Sequence, residues 1–149
     1  MNVPTLDIKV DVQICAIVHA SEDLLKVSTA IKNISGNIEP SKRQESNNLV
    51  VWKFNSVKVL YNFYRKIRER QIVTAARRLL LRNREKDSTR VLLNRQAAFV
   101  GNIILCDEEG ESPLGPIILK IESPLLMQVI DWLVGKQEME EAINKVGRP

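Results

Sequence analysis

The order in which two hydrophobic periods follow one another constrains the fold of this chain most. Leu6, Ile8, Val10, Val12 and Ile14 alternate with Asp7, Lys9, Asp11 and Gln13. That period of two is expected of a strand with one wet face. From Cys15 to His19 both faces turn apolar or small, so this end is expected to be covered on both sides. Ser21 offers a helix cap, Glu22 and Asp23 suit a first turn, and Leu24, Val27 and Ile31 keep helical spacing, which predicts a helix over 22–34. Gly36 ends it with a left-handed cap. Residues 37–54 read as a hairpin whose second arm, 49–54, is rich in β-formers and whose polar turn spans 41–48. Val57, Leu60, Tyr64, Ile67, Ala75 and Leu79 form the stripe of a long helix over 57–82, with a gap at Gln71 where a bend or break fits. Strands are predicted over 89–93, 97–106 and 116–122, the last two joined by the acidic turn Asp107-Glu108-Glu109-Gly110. Ser123 and Pro124 open a final helix with Leu126, Val129, Ile130 and Leu133 on its apolar face, and Gly135 stops it.

The order β-α-β-β-α-β-β-β-α lacks the βαβ alternation of a parallel doubly wound sheet, and no internal repeat is present. The expected class is α+β, with an antiparallel or mixed sheet and helices packed mainly on one face. With 149 residues, 44% apolar and 27% charged, one domain over 1–135 is expected, followed by a polar tail over 136–149 that forms a short helix or stays disordered. No run approaches the ~18 apolar residues of a membrane span. The first residues lack a basic start followed by an apolar run, so no signal peptide is expected and the location is read as cytoplasmic. Cys15 and Cys106 sit among aliphatic residues in predicted strands and read as inert core thiols.

Catalytic and metal chemistry find little support. His19, the only histidine, lies four residues after Cys15 on the same predicted strand face. Zinc needs about four ligands and no CxxC or second histidine supplies the rest, so no metal or cofactor is expected. Ser56, Ser88 and Ser112 read as caps and turn residues rather than nucleophiles. The glycines at 110 and 115 match no phosphate-cradling motif.

Charge distribution is more informative. Residues 58–95 hold twelve basic and three acidic side chains, whereas 96–149 hold four basic and nine acidic ones. Nine of the twelve are arginine, whose planar fork of donors matches phosphate oxygens. Lys66, Arg70 and Arg77 fall on one helical stripe and Arg78 and Arg82 on the next. These residues are the candidate nucleic-acid contacts. The competing reading is a solvated helix face, with Glu69 paired to Lys66 or Arg65 and the acidic C-terminal third neutralising the rest. The aromatic residues lie mostly at core-like spacings and read as packing.

Four segments carry a family resemblance. Ile72-Val73-Thr74-Ala75-Ala76-Arg77 resembles an Ile-Leu-Asp-Ala-Ala-Arg segment, and Leu93-Asn94-Arg95-Gln96-Ala97-Ala98-Phe99-Val100-Gly101 resembles a Lys-Gln-Ala-Ala-Tyr/Phe-Val-Gly signature. Glu111-Ser112-Pro113-Leu114-Gly115-Pro116-Ile117 resembles a Glu-Ser-Pro-Leu-Gly motif, and Val129-Ile130-Asp131-Trp132-Leu133 matches as well. Over about residues 6–134 the chain thus resembles an archaeal family of predicted RNA-binding proteins. The resemblance implies a fold similar to large-subunit ribosomal protein five and RNA as partner, and carries over no catalytic residue. Arg95 stands where lysine is usual and Thr74 where an acid is common. Arg95 and Gln96 join the candidate contacts, their alternative role being to bond loop carbonyls. A protein-interaction module acting as a homodimer, and an enzyme on a phosphorylated small molecule, are the other two readings.

Overall fold

The computed structural model describes residues 2–46 and 48–135. Among these residues six strands form one sheet: β1 (Asp11–Ile17), β2 (Lys42–Ser46), β3 (Leu49–Phe54), β4 (Ser88–Leu93), β5 (Leu105–Cys106) and β6 (Ile117–Glu122). Their spatial order is β2-β3-β1-β6-β4-β5, and every pairing is antiparallel. The helices are α1 (Leu24–Ser35), α2 (Tyr61–Glu69), α3 (Val73–Arg82), α4 (Arg95–Phe99) and α5 (Leu126–Leu133). The expected α+β class is what the chain adopts. Among the described residues no helix is long and apolar enough to cross a membrane.

Alternation decides which sheet face is covered. Val12, Ile14 and Ala16 of β1, Val50, Trp52 and Phe54 of β3, Val91 and Leu93 of β4, and Leu119 and Ile121 of β6 are all buried. They share one core with Ile31 and Ile34 of α1, Phe63 and Ile67 of α2, Leu80 of α3 and Val129 and Leu133 of α5. Successive strand residues point to opposite sides, so Gln13, Cys15, Val51, Lys53, Ile118 and Lys120 lie on the other face and are only half-buried.

Several elements differ from expectation. The β1 ladder starts at Asp11 rather than near Leu6, because its neighbours run out there: Phe54 sits opposite Val12, and Glu122 opposite Asp11. Asp23, not Ser21, caps α1, its carboxylate accepting from the Leu25 N–H at 2.9 Å. Gly36 supplies the left-handed end (φ 66°), and a Cβ there would meet the Asn62 Cβ at 3.1 Å. The polar stretch expected as a turn contains β2, a fully exposed edge strand. Polar Lys42, Arg43 and Glu45 belong there because an edge must resist pairing with other chains.

The long helix expected over 57–82 is broken. A 3-10 turn (Val57–Leu60) leads into α2, and Gln71 adopts φ 58° before α3 begins. The gap in the apolar stripe at Gln71 is where this break falls. The strand expected over 97–106 is also wrong. Asn94 accepts from the Ala97 N–H at 2.9 Å and caps the short α4, leaving only Leu105 and Cys106 for β5. An N-cap asparagine outweighed the apolar run that followed it. The expected tail over 136–149 lies outside the described residues.

Candidate nucleic-acid interface

The arginines expected to form a helix stripe mostly face acidic partners. Lys66 lies 3.9 Å from Glu69, and Arg77 lies 3.0 Å from Asp131. Arg78 and Arg82 share Asp107, at 3.0 and 3.5 Å, and Arg82 also donates to the Asp107 carbonyl at 2.9 Å. Arg70 is exposed and makes no ion pair among the described residues. The break at Gln71 places Lys66 and Arg70 on a different helix from Arg77, so the stripe is not continuous. The pairs of Arg78 and Arg82 are exposed. Such pairs contribute only about 0–1 kcal/mol, so a phosphate can compete for these arginines.

Arg95 and Gln96 have a different fate. Arg95 is 5% exposed, and its Nη1 donates to both Glu22 carboxylate oxygens at 2.8 and 2.9 Å. Its Nε donates to the Gly115 carbonyl at 3.0 Å, and its backbone N–H donates to Ser112 Oγ at 3.1 Å. Gln96 Nε2 donates to the Pro113 carbonyl at 3.3 Å. Arg95 therefore cannot grip a phosphate as expected, because its guanidinium is buried and bound between α1 and the 112–115 turn. Gln96 is exposed while reaching the same turn. His19 also reaches this turn, its Nε2 lying 2.9 Å from the Leu114 carbonyl.

Four cations without an ion pair among the described residues lie on the open face of the sheet. Lys42 pairs in register with Lys53, Lys53 with Gln13, Gln13 with Lys120, and Lys120 with Arg90. Four cations thus cross five adjacent strands in one row. At about 4.8 Å between strands the row is roughly 19 Å long. None of the four makes an ion pair among the described residues. One same-face step along the strands, Val51, Cys15, Ile118 and Leu92 form a parallel apolar row. On the other side Asp11 and Glu122 stand opposite each other and bound the basic row. Burial pushes the Cys15 thiol up from its ordinary value, while Lys120 and Arg90 pull it part of the way down, so the positive field of the row reaches this position. Burial also raises the Cys106 thiol, with Glu111 and Asp107 adding to the effect.

The row continues round the sheet edge. Arg90 and Arg82 line one cavity of about 560 Å³ with Asp107, Glu108 and Glu109, and Arg70 and Arg78 line the adjoining one with Asp107. The helix arginines and the sheet cations therefore form one surface track, interrupted by the acidic 107–109 loop. A sequence reading missed the sheet half because its members come from four separate segments, two of them single lysines among apolar residues. Their strand parity was the available signal: Gln13, Lys53, Arg90 and Lys120 occupy the alternate positions to the core residues.

Residues 11–123, which span the six strands, match a family model described as RNA binding. The UPF0201 protein of Sulfurisphaera tokodaii is 40% identical over 80% of this chain and 83% of its own length, and that of Metallosphaera sedula 38% over 80% and 84%. A crystal structure of a UPF0201 protein superimposes with TM-score 0.70 at 25% identity, covering 85% of this chain and 94% of the other. The UPF0201 protein of Methanococcus jannaschii gives 0.67 at 29% identity over 85% and 94%. The chain belongs to the archaeal UPF0201 family.

Proposed function

We propose that this protein is a non-catalytic RNA-binding module that holds the sugar–phosphate backbone on the open face of its sheet. The observation that carries this reading is the row Lys42, Lys53, Lys120 and Arg90, four same-facing cations without an acidic partner among the described residues. Opposite charges satisfy most of the helix arginines, whereas the sheet cations are left for an external anion. Arg82, Arg78 and Arg70 extend the track as a flank, and Lys66 and Arg77 take no direct part. The description of the matching family supports RNA as the anion, as does the proposed kinship with large-subunit ribosomal protein five.

The test is binding of a single-stranded RNA oligonucleotide by fluorescence anisotropy as salt is raised. Four phosphate contacts give a slope of log K against log salt of about −3, or a roughly 50-fold loss between ~50 and ~200 mM. The variant Lys53→Ala/Lys120→Ala/Arg90→Ala should flatten that slope by about 2 with its thermal unfolding retained. No binding by the wild type at ~50 mM salt refutes the reading. Sizing at several concentrations then tests the homodimer alternative.

A further inference from the structure

A second feature of the same end of the molecule stands apart from the basic row. A cavity of about 490 Å³ opens between α1, α4 and the 112–115 turn, lined by Lys26, Val27, Ala30, Gln96, Phe99 and Leu114 among others. Its volume falls within the usual range for small-ligand sites, about 300–1,000 Å³. Phe99 is the only aromatic residue that is classed as exposed among the described residues, at 40%. The half-buried Tyr61 and Trp132 pack against each other with ring centres 6.0 Å apart, and Trp132 also packs against Tyr64 at 5.3 Å. Phe99 has a cation instead, with Lys26 Nζ lying 5.8 Å from its ring centre.

Two further observations bear on what the cavity holds. Exposed Gln96 and Asp23 supply donor and acceptor groups at the wall. Leu114 holds φ 66° at the third position of a turn closed by the Gly115 N–H to the Ser112 carbonyl, where glycine would be unstrained. Backbone strain of this kind collects at binding sites.

Arg95 also borders the open sheet face. Arg95 lines a smaller cavity of about 150 Å³ as well, whose walls include Cys15, Ile17, Leu49 and Ile118 of the open sheet face. The Leu114–Gly115 corner lies between the two cavities, with Leu114 on the larger and Gly115 on the smaller. We propose that this cavity seats one unpaired base of the bound RNA, stacked on Phe99 with its adjoining phosphate near Lys26. The inference rests on the RNA reading above. It adds base recognition to a surface that otherwise holds only the backbone, since stacking on an aromatic side chain is how proteins hold splayed-out RNA bases.

The experiment compares the wild type, Phe99→Ala and Phe99→Trp on two probes: a single-stranded RNA oligonucleotide and an abasic oligoribonucleotide of the same length. Phe99→Ala should weaken RNA binding roughly 5- to 150-fold while leaving the abasic probe unaffected. Phe99→Trp should retain wild-type affinity for RNA, and its added emission, relative to the wild type, should be quenched as RNA binds. Equal RNA affinity for the wild type and Phe99→Ala, with the sheet triple variant still impaired, overturns the base site and leaves the backbone reading standing. Equal losses by Phe99→Ala on both probes also overturn it, because the effect would then not involve a base. Absence of RNA binding by the wild type removes the backbone reading, and the base site with it.

Discussion

The buried Arg95–Glu22 pair gives the sharpest test of the structure. The two side chains are only 6% and 10% exposed. Glu22→Gln keeps the shape and one acceptor oxygen but leaves the guanidinium charge with no counter-charge in the pair. Removing one partner from a buried pair costs about 3–5 kcal/mol, and the retained acceptor places this change near the lower end, about 3 kcal/mol. For a chain of 149 residues, each kcal/mol moves the melting temperature by about 2–4 °C, so a fall of roughly 6–12 °C is expected. Calorimetry and urea unfolding measure it. The double variant Glu22→Leu/Arg95→Met removes both charges and should recover much of the loss. Recovery should be incomplete, because the half-buried Gly115 carbonyl loses the Arg95 Nε donor at 3.0 Å, and an unmet acceptor costs up to about 1–3 kcal/mol when fully buried. A Glu22→Gln loss below about 1 kcal/mol, the value of an exposed pair, would refute the argument that Arg95 is a structural arginine.

Two further outcomes follow from the charge geometry. Asp107 occupies both Arg78 and Arg82, so Asp107→Ala should cost less than about 1 kcal/mol in unfolding free energy while tightening RNA binding and steepening its salt dependence; unchanged or weaker binding would remove the helix flank from the track. Lys120 pulls the Cys15 thiol down against the larger upward push of burial, so Lys120→Ala should raise that pKa further and slow alkylation of Cys15 by iodoacetamide at pH 8, followed by mass spectrometry. Faster alkylation, with the fold retained, would contradict the placement of the row.

What the sequence could and could not disclose divides along the distance over which each cause acts. Elements governed by their own residues were legible: the alternation of β1, the strand at β6, the stripe of α5 and the glycine end of α1 are local patterns read directly from the chain. The break at Gln71 was visible as a gap in a stripe, though not its left-handed backbone. The α4 segment was misassigned because its apolar run fits a strand as well as a helix, and the decisive feature was the Asn94 side chain bonding three residues ahead. The pairing of the basic residues was hidden for a different reason. Whether a cation is free or spent depends on which carboxylate the fold brings to it, and the carboxylates that matter here lie far away in sequence: Asp131 for Arg77, Asp107 for Arg78 and Arg82, and Glu22 for Arg95. Density of arginine along the chain therefore overstated the free charge of the helices, while the outward cations of four strands, aligned only by register, went unread. A basic stretch in an α+β chain whose acidic residues collect in another segment is thus as much a sign of internal pairing as of an external polyanion. Strand parity, which separates the outward Lys53, Arg90 and Lys120 from the buried Trp52, Val91 and Leu119 beside them, is the better guide to which cations face outward.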